Sequence, residues 1–95
     1  MKEFLESVNE FNTVYNVGPA SSSPKLLEFD ESILRFDLMD EENREYKEAC
    51  LNRDIVEVAD ALGDQLYILC GTILRHGMQH KIAEVFNEIH RSNMS

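Results

Sequence analysis

The stretch from Ile55 to Leu74 constrains the fold most, because its residues are apolar or small on almost every side of a helix. A helix that is hydrophobic nearly all round is expected to be central and buried. This one nevertheless carries Glu57, Asp60 and Asp64, whose spacings of three and four place them on one face. Burying an unpaired carboxylate is very costly, and few basic residues lie nearby in the sequence. The pattern therefore favours a divalent cation as the partner of these acids.

Apolar residues at helical spacing recur along the rest of the chain, and no strand-like alternation competes with them. We predict an all-α, four-helix bundle-like fold in a single domain of residues 1–95. The predicted helices cover residues 2–15, 24 or 26 to 49, 55–76 and 78–91, and a bend or interruption of the second near Asp30 is left open.

Short local motifs predict where these helices begin and end. Ser23 followed by Pro24 indicates an N-cap with proline at the first helical position of the second helix. Asp54 with Glu57 three residues later is typical of a capping box at the start of the third helix. Gly77 is expected to end that helix.

The second predicted helix also carries acid on its apolar side. Steps of three and four along one face give Leu34, Leu38, Glu42, Glu45 and Ala49, with Glu41 beside them. An ordinary amphipathic helix places its charges on the opposite face, so this stripe is unusual. The competing interpretation is a solvated acidic surface, which suits Glu48 well. Helix capping alone explains Glu57 equally well.

The ligand types favour one class of metal. A carboxylate cluster without histidine or cysteine favours Mg²⁺, or Mn²⁺ as a substitute, and we expect one or two ions per site. A di-iron bundle needs Glu-x-x-His pairs, and this sequence has none. Cys50 and Cys70 are too few to indicate a zinc site or a disulfide scaffold.

Two acidic motifs resemble those of a known superfamily. Residues 40–45, Asp-Glu-Glu-Asn-Arg-Glu, resemble the Glu-Glu-x-x-Glu motif of the MazG-like all-α nucleoside triphosphate pyrophosphohydrolases, and residues 57–60 match its second motif, Glu-x-x-Asp. The string at 58–72 and the ending at 85–95, which contains His-Arg-Ser-Asn-Met, are similar to the phosphoribosyl-ATP-pyrophosphohydrolase-like branch. The resemblance covers residues 34–95.

The resemblance implies an oligomeric hydrolase that cleaves the α–β bond of a nucleotide and releases a monophosphate and pyrophosphate. By motif position, it implies that Glu42 and Glu45 are metal ligands. Glu41 is implied to be a further ligand or the catalytic base that orients water.

The second motif aligns in two ways. In many relatives its aspartate precedes a Leu/Ile-Leu-Tyr stretch, which aligns it with Asp64 and places Ala61 at the glutamate position, a departure from the family pattern. Asp60, one turn before Asp64, would then replace the missing carboxylate. We therefore favour Asp60 and Asp64 as metal ligands, with Glu57 as a third candidate.

Substrate phosphates require cations, which an acidic protein has to supply locally or through metal. The family-like ending suggests His90, Arg91 and Asn93 as phosphate contacts, with Lys81 as a weaker candidate. An ordinary polar helix terminus is the competing interpretation of these residues. Relatives often continue with a lysine beyond this ending, whereas the present sequence ends at Ser95.

Charge and composition exclude several classes of protein. Eighteen acidic against nine basic residues give a net charge of −9, which argues against binding to nucleic acid or to an anionic membrane. No apolar run approaches the roughly 18 residues of a membrane span, and the N-terminus lacks a signal-peptide pattern. We expect a cytoplasmic protein whose partner is a nucleotide substrate.

Short helices around a polar cleft leave little apolar volume for a self-sufficient core. We therefore predict a homodimer, or a tetramer built from dimers, with twofold symmetry. The leading functional hypothesis is a Mg²⁺-dependent nucleotide pyrophosphohydrolase. The alternative is a non-catalytic helical interaction module, such as an inactivated relative whose acids bind a basic partner.

Overall fold

The computed structural model describes residues 1–95 and contains four α-helices and no strand, which confirms the all-α prediction. The helices are α1 (Lys2–Val14), α2 (Phe29–Leu51), α3 (Ile55–Arg75) and α4 (Ile82–Met94). None of the four is both long and apolar enough to cross a bilayer.

The apolar helix α3 is the central element and packs against both α1 and α2. The hydrophobic core lies between α1 and α3 and consists of Leu5, Val8, Cys70, Ile73 and Leu74. Ile82 of α4 packs against this core, but no residue of α4 is buried. Helix α4 is therefore the least buried of the four helices.

The two ends of α3 form largely as the local motifs predict. The Asp54 carboxylate accepts hydrogen bonds from the backbone N–H groups of Val56 and Glu57, at 2.9 and 3.3 Å, which confirms the N-cap. Glu57 does not complete a capping box, because its carboxylate accepts from the Asn52 amide at 3.1 Å instead. Gly77 follows the helix with a φ of +69°, a conformation that suits glycine.

The predicted start of α2 at Ser23 and Pro24 is wrong, since the helix begins at Phe29. The preceding segment runs along the C-terminal end of α3 instead. The backbone N–H of Ser21 donates to the carbonyl of Leu74 at 3.0 Å, and that of Lys25 donates to the carbonyl of His76 at 2.9 Å. This segment therefore pairs with backbone carbonyls at the end of another helix, and does not begin its own.

The fourth helix also begins later than the predicted Met78, at Ile82. Met78 packs against the core, and its carbonyl accepts from the backbone N–H groups of Lys81 and Ile82, both at 2.9 Å. The side-chain amide of Gln79 donates to the carbonyl of Ser21 at 2.9 Å. These contacts hold the connection as a turn ahead of α4.

Candidate functional site

The second and third helices lie side by side because only a short connection separates them. Small side chains are buried where they meet, Ala49 on α2 and Ala61 on α3. One hydrogen bond crosses the contact, from Nε2 of Gln65 to Oδ1 of Asn43 at 3.2 Å. We call this contact between α2 and α3 the helix seam.

Three carboxylates converge at the helix seam. One carboxylate oxygen from each of Glu42, Glu45 and Asp64 lies within 4.8 Å of the other two. Glu42 and Asp64 are half-buried, whereas Glu45 is exposed. None of the three forms an ion pair with a lysine, an arginine or a histidine. The fold therefore brings together acids from both helices without supplying a protein cation to neutralise them.

Glu42 is the carboxylate whose charged form this arrangement disfavours. Its Oε2 atom is buried and has no hydrogen-bond partner. Burial raises the pKa of Glu42 above its ordinary value, and the nearby charges of Glu45 and Asp64 raise it further. A buried acceptor without a donor, beside two more oxygen ligands, suits a hard divalent cation. The donor set therefore fits the metal that the sequence patterns indicate.

The other acids predicted to take part lie outside this group of three. Asp60, Glu57 and Glu41 are all exposed. Glu57 is bonded to Asn52, as described above, whereas Glu41 is close enough to Glu42 to contribute to its raised pKa. The roles assigned to these three residues remain predictions.

The predicted phosphate contacts His90, Arg91 and Asn93 are exposed side chains of α4, and Lys81 is the exposed N-cap residue of that helix. The guanidinium of Arg91 is paired with the Glu88 carboxylate one turn earlier. The structure does not place these side chains against the three carboxylates, so their role also remains a prediction.

A cavity of about 470 Å³ opens beside the same seam. It is lined by Phe36, Met39, Asp40, Asn43, Gln65 and Leu69. None of the three clustered carboxylates lines it, although Asn43 and Gln65 adjoin Glu42 and Asp64 in the sequence. The cavity and the carboxylates are thus separate features of one helix pair.

The sequence patterns did not single out Arg35, a half-buried arginine on α2. Its Nε donates to Oγ1 of Thr72 at 3.0 Å, and its Nη2 donates to the carbonyl of Ile68 at 2.9 Å. The sequence feature that could have pointed to Arg35 is its position seven residues before Glu42. This spacing places both residues on the same side of a helix.

A family model described as phosphoribosyl-ATP pyrophosphohydrolase matches residues 3–93. Neither the curated proteins nor the solved structures compared with the chain gave a match. The family match confirms the resemblance seen in the motifs and extends it from residue 34 back to the first helix.

Proposed function

This chain belongs to the phosphoribosyl-ATP pyrophosphohydrolase family, and on that premise we propose that it cleaves the α–β phosphoanhydride of a nucleoside triphosphate or a related nucleotide. The products are a nucleoside monophosphate and pyrophosphate. The observation that carries the proposal is the convergence of Glu42, Glu45 and Asp64 from two helices with no protein cation between them.

In this proposal the three carboxylates hold Mg²⁺, or Mn²⁺ in its place, as one or two ions. When bound, the divalent ion neutralises phosphate charge and favours attack at phosphorus. Asp60 lies on α3 one turn before Asp64, on the same face, and is proposed to complete the ligand set. Glu57 is the less suitable candidate, because Asn52 already donates to its carboxylate.

Glu41 is proposed as the general base. Its carboxylate is exposed, next to Glu42 in the sequence, and outside the group of three. It is therefore available to accept a proton from the attacking water while the water oxygen bonds to the α-phosphorus and pyrophosphate leaves. His90, Arg91, Asn93 and Lys81 are the proposed contacts to substrate phosphates.

Pyrophosphate release from a panel of normal and modified nucleotides, measured with Mg²⁺ and with Mn²⁺, tests the activity and the site together. We expect Glu45→Gln and Asp64→Asn to reduce turnover by at least about 100-fold, since losing even a residue that supports a metal ligand costs about 10- to 100-fold. Glu48→Gln is the matched control, because Glu48 is an exposed acid of the same helix outside the cluster.

Two results would count against the proposal. Failure to release pyrophosphate from any nucleotide with either metal would reject the activity. Unchanged turnover in Glu45→Gln or Asp64→Asn would reject the site. Salt-sensitive binding of a basic protein, without any stabilisation by millimolar Mg²⁺, would instead favour the non-catalytic interaction module.

We further propose that the protein acts as a homodimer or as a tetramer of dimers. Apolar side chains of α4 support this, because Val85, Phe86 and Ile89 are 40, 67 and 53% exposed in the single chain. They follow one another at helical spacing, which suits packing against a second copy.

A further inference from the structure

Arg35 is a half-buried cation that forms no direct ion pair. The ion pairs of the structure join Arg44 to Asp40, Arg75 to Glu31 and Arg91 to Glu88, and none includes Arg35. Its guanidinium lies on α3 at Gly71 and donates only to Ile68 and Thr72. Both of these hydrogen-bond partners are neutral oxygens.

The nearest comparable residue is paired quite differently. Arg75, the other partly buried arginine, donates through Nε and Nη2 to the two carboxylate oxygens of Glu31, at 2.6 and 2.8 Å. Burial lowers the pKa of Arg35, the nearby charge of Glu31 raises it, and the nearby charge of Arg75 lowers it. Two guanidinium groups therefore share a single carboxylate in a chain whose net charge is −9.

The Arg35 guanidinium also has N–H groups that donate to no acceptor in the protein. Its contacts with α3 use Nε and one hydrogen of Nη2. A guanidinium carries five N–H groups, so both hydrogens of Nη1 and one of Nη2 have no acceptor in the protein. Such a fork matches the oxygens of a phosphate group.

Its position relates this cation to the clustered carboxylates. Arg35 and Glu42 lie two turns apart on one side of α2, a separation of roughly 10 Å along the helix axis. Its partners Ile68 and Thr72 follow Asp64 by one and two turns on α3. The helix seam therefore carries three acids at one point and a cation with free donors about two turns away.

We infer that Arg35 binds a phosphate group of the nucleotide substrate, beyond the phosphates next to Glu42, Glu45 and Asp64. The inference rests on the proposed function, because it assumes that the substrate's reacting phosphates lie at the carboxylates. The phosphate adds negative charge at a place where two guanidinium groups share the single carboxylate of Glu31.

Binding of inorganic phosphate in metal-free buffer, measured by calorimetry, tests the contact without requiring turnover, because the three carboxylates then have no cation with which to hold an anion. Arg35→Gln is expected to weaken binding by about tenfold to 100-fold, the usual effect of losing a hydrogen bond to a charged group. Arg35→Lys keeps the charge but loses the fork, so its loss is expected to be smaller. Arg44→Gln is the control, since Arg44 is 77% exposed and paired with Asp40 on the same helix.

A further variant moves the guanidinium without removing it. A Cβ added at Gly71 would lie 2.7 Å from Nη2 of Arg35, so Gly71→Ala has to displace the end of that side chain. We expect Gly71→Ala, like Arg35→Lys, to raise KM for the nucleotide more than it lowers kcat. Gly71→Ala and Arg35→Lys therefore test the inference even if Arg35→Gln folds poorly.

The outcomes separate this inference from the proposed function. Equal phosphate affinity in the wild type, Arg35→Gln and Gly71→Ala would overturn the inference, and so would a lower melting temperature in these variants with no change in affinity. Arg35-dependent phosphate binding in a protein that hydrolyses no nucleotide would uphold the phosphate contact while rejecting the proposed activity.

Discussion

Glu42 is the residue at which folding and the proposed metal binding make opposite demands. Its partly buried carboxylate has an oxygen without a donor, and burial with the neighbouring acids raises its pKa. An acid whose pKa is higher in the folded than in the unfolded protein favours folding while it is protonated. That contribution is full below the ordinary glutamate pKa and is lost as the pH rises through the raised value.

We expect Glu42→Gln to stabilise the metal-free protein at neutral pH. The change removes a poorly solvated charge, and the expected gain in the free energy of unfolding is about 1 kcal/mol. The gain should disappear as the pH falls below the ordinary glutamate range, where the wild-type carboxyl is protonated in both states. Urea denaturation at a series of pH values, without metal, measures both effects.

Metal should reverse the order of stability of the wild type and Glu42→Gln. Millimolar Mg²⁺ is expected to stabilise the wild type but not Glu42→Gln, and its affinity for the wild type should fall in mildly acidic buffer. Glu48→Gln, at an exposed position, is the control. A metal-free Glu42→Gln protein less stable than the wild type at neutral pH would contradict this account.

Residue periodicity predicted the acids that converge at the helix seam but gave no indication of Arg35. Glu42, Glu45 and Asp64 could be predicted because they continue apolar stripes of their helices. Asp60 shares the face of Asp64 but is exposed. This exposure could not be predicted, because a helical wheel does not show where the contact with the neighbouring helix ends. Arg35 was missed because its partner Ile68 lies 33 residues away in the sequence.

At the scale of the elements, the junction after α3 depends on one glycine. Gly77 has a φ of +69°, and a Cβ added there would lie 2.1 Å from the carbonyl oxygen of Ser23. The segment before α2 can therefore approach the end of α3 only because this position has no side chain. The sequence predicted that Gly77 ends the helix. The close approach could not be predicted, because Ser23 and Gly77 are far apart in the sequence.

Alanine substitutions at two glycines should therefore have opposite effects. Gly77→Ala is expected to reduce the free energy of unfolding by more than about 1 kcal/mol, because it combines a strained φ with a backbone clash. Gly63→Ala is expected to increase it by about 0.5–1 kcal/mol, since Gly63 is exposed within α3 and nothing lies within 4 Å of the added Cβ. Urea denaturation compares the two, and equal effects would contradict the structure.

The helix boundaries show how far local sequence signals reach. All four helices could be predicted, because each has apolar residues at helical spacing. The starts of α2 and α4 could not, because hydrogen bonds from Lys25 to His76 and from Gln79 to Ser21 hold those segments in other conformations. Contacts with a distant element thus overrode a plausible local Ser-Pro start.

The surface of the whole molecule is large for its mass. The chain exposes 7279 Å², whereas a compact monomer of this mass is expected to expose roughly 5,600 Å². Only 10 of 95 residues are buried, so one chain encloses a small core. The excess area is more than the roughly 800 Å² that each partner buries in a standard interface, which supports association of two copies.

Self-association through α4 is therefore the prediction that belongs to the whole molecule. We expect the wild type to sediment as a dimer or tetramer at micromolar concentration, and Phe86→Asp to weaken association by at least about tenfold, as loss of a buried aromatic anchor does. Asn87→Asp is the control, because it adds the same charge at the next exposed position of α4. A monomeric wild type would reject the assembly, while equal weakening by both variants would attribute the effect to charge. Loss of association in Phe86→Asp alone would identify the apolar side of α4 as the surface through which the copies bind each other.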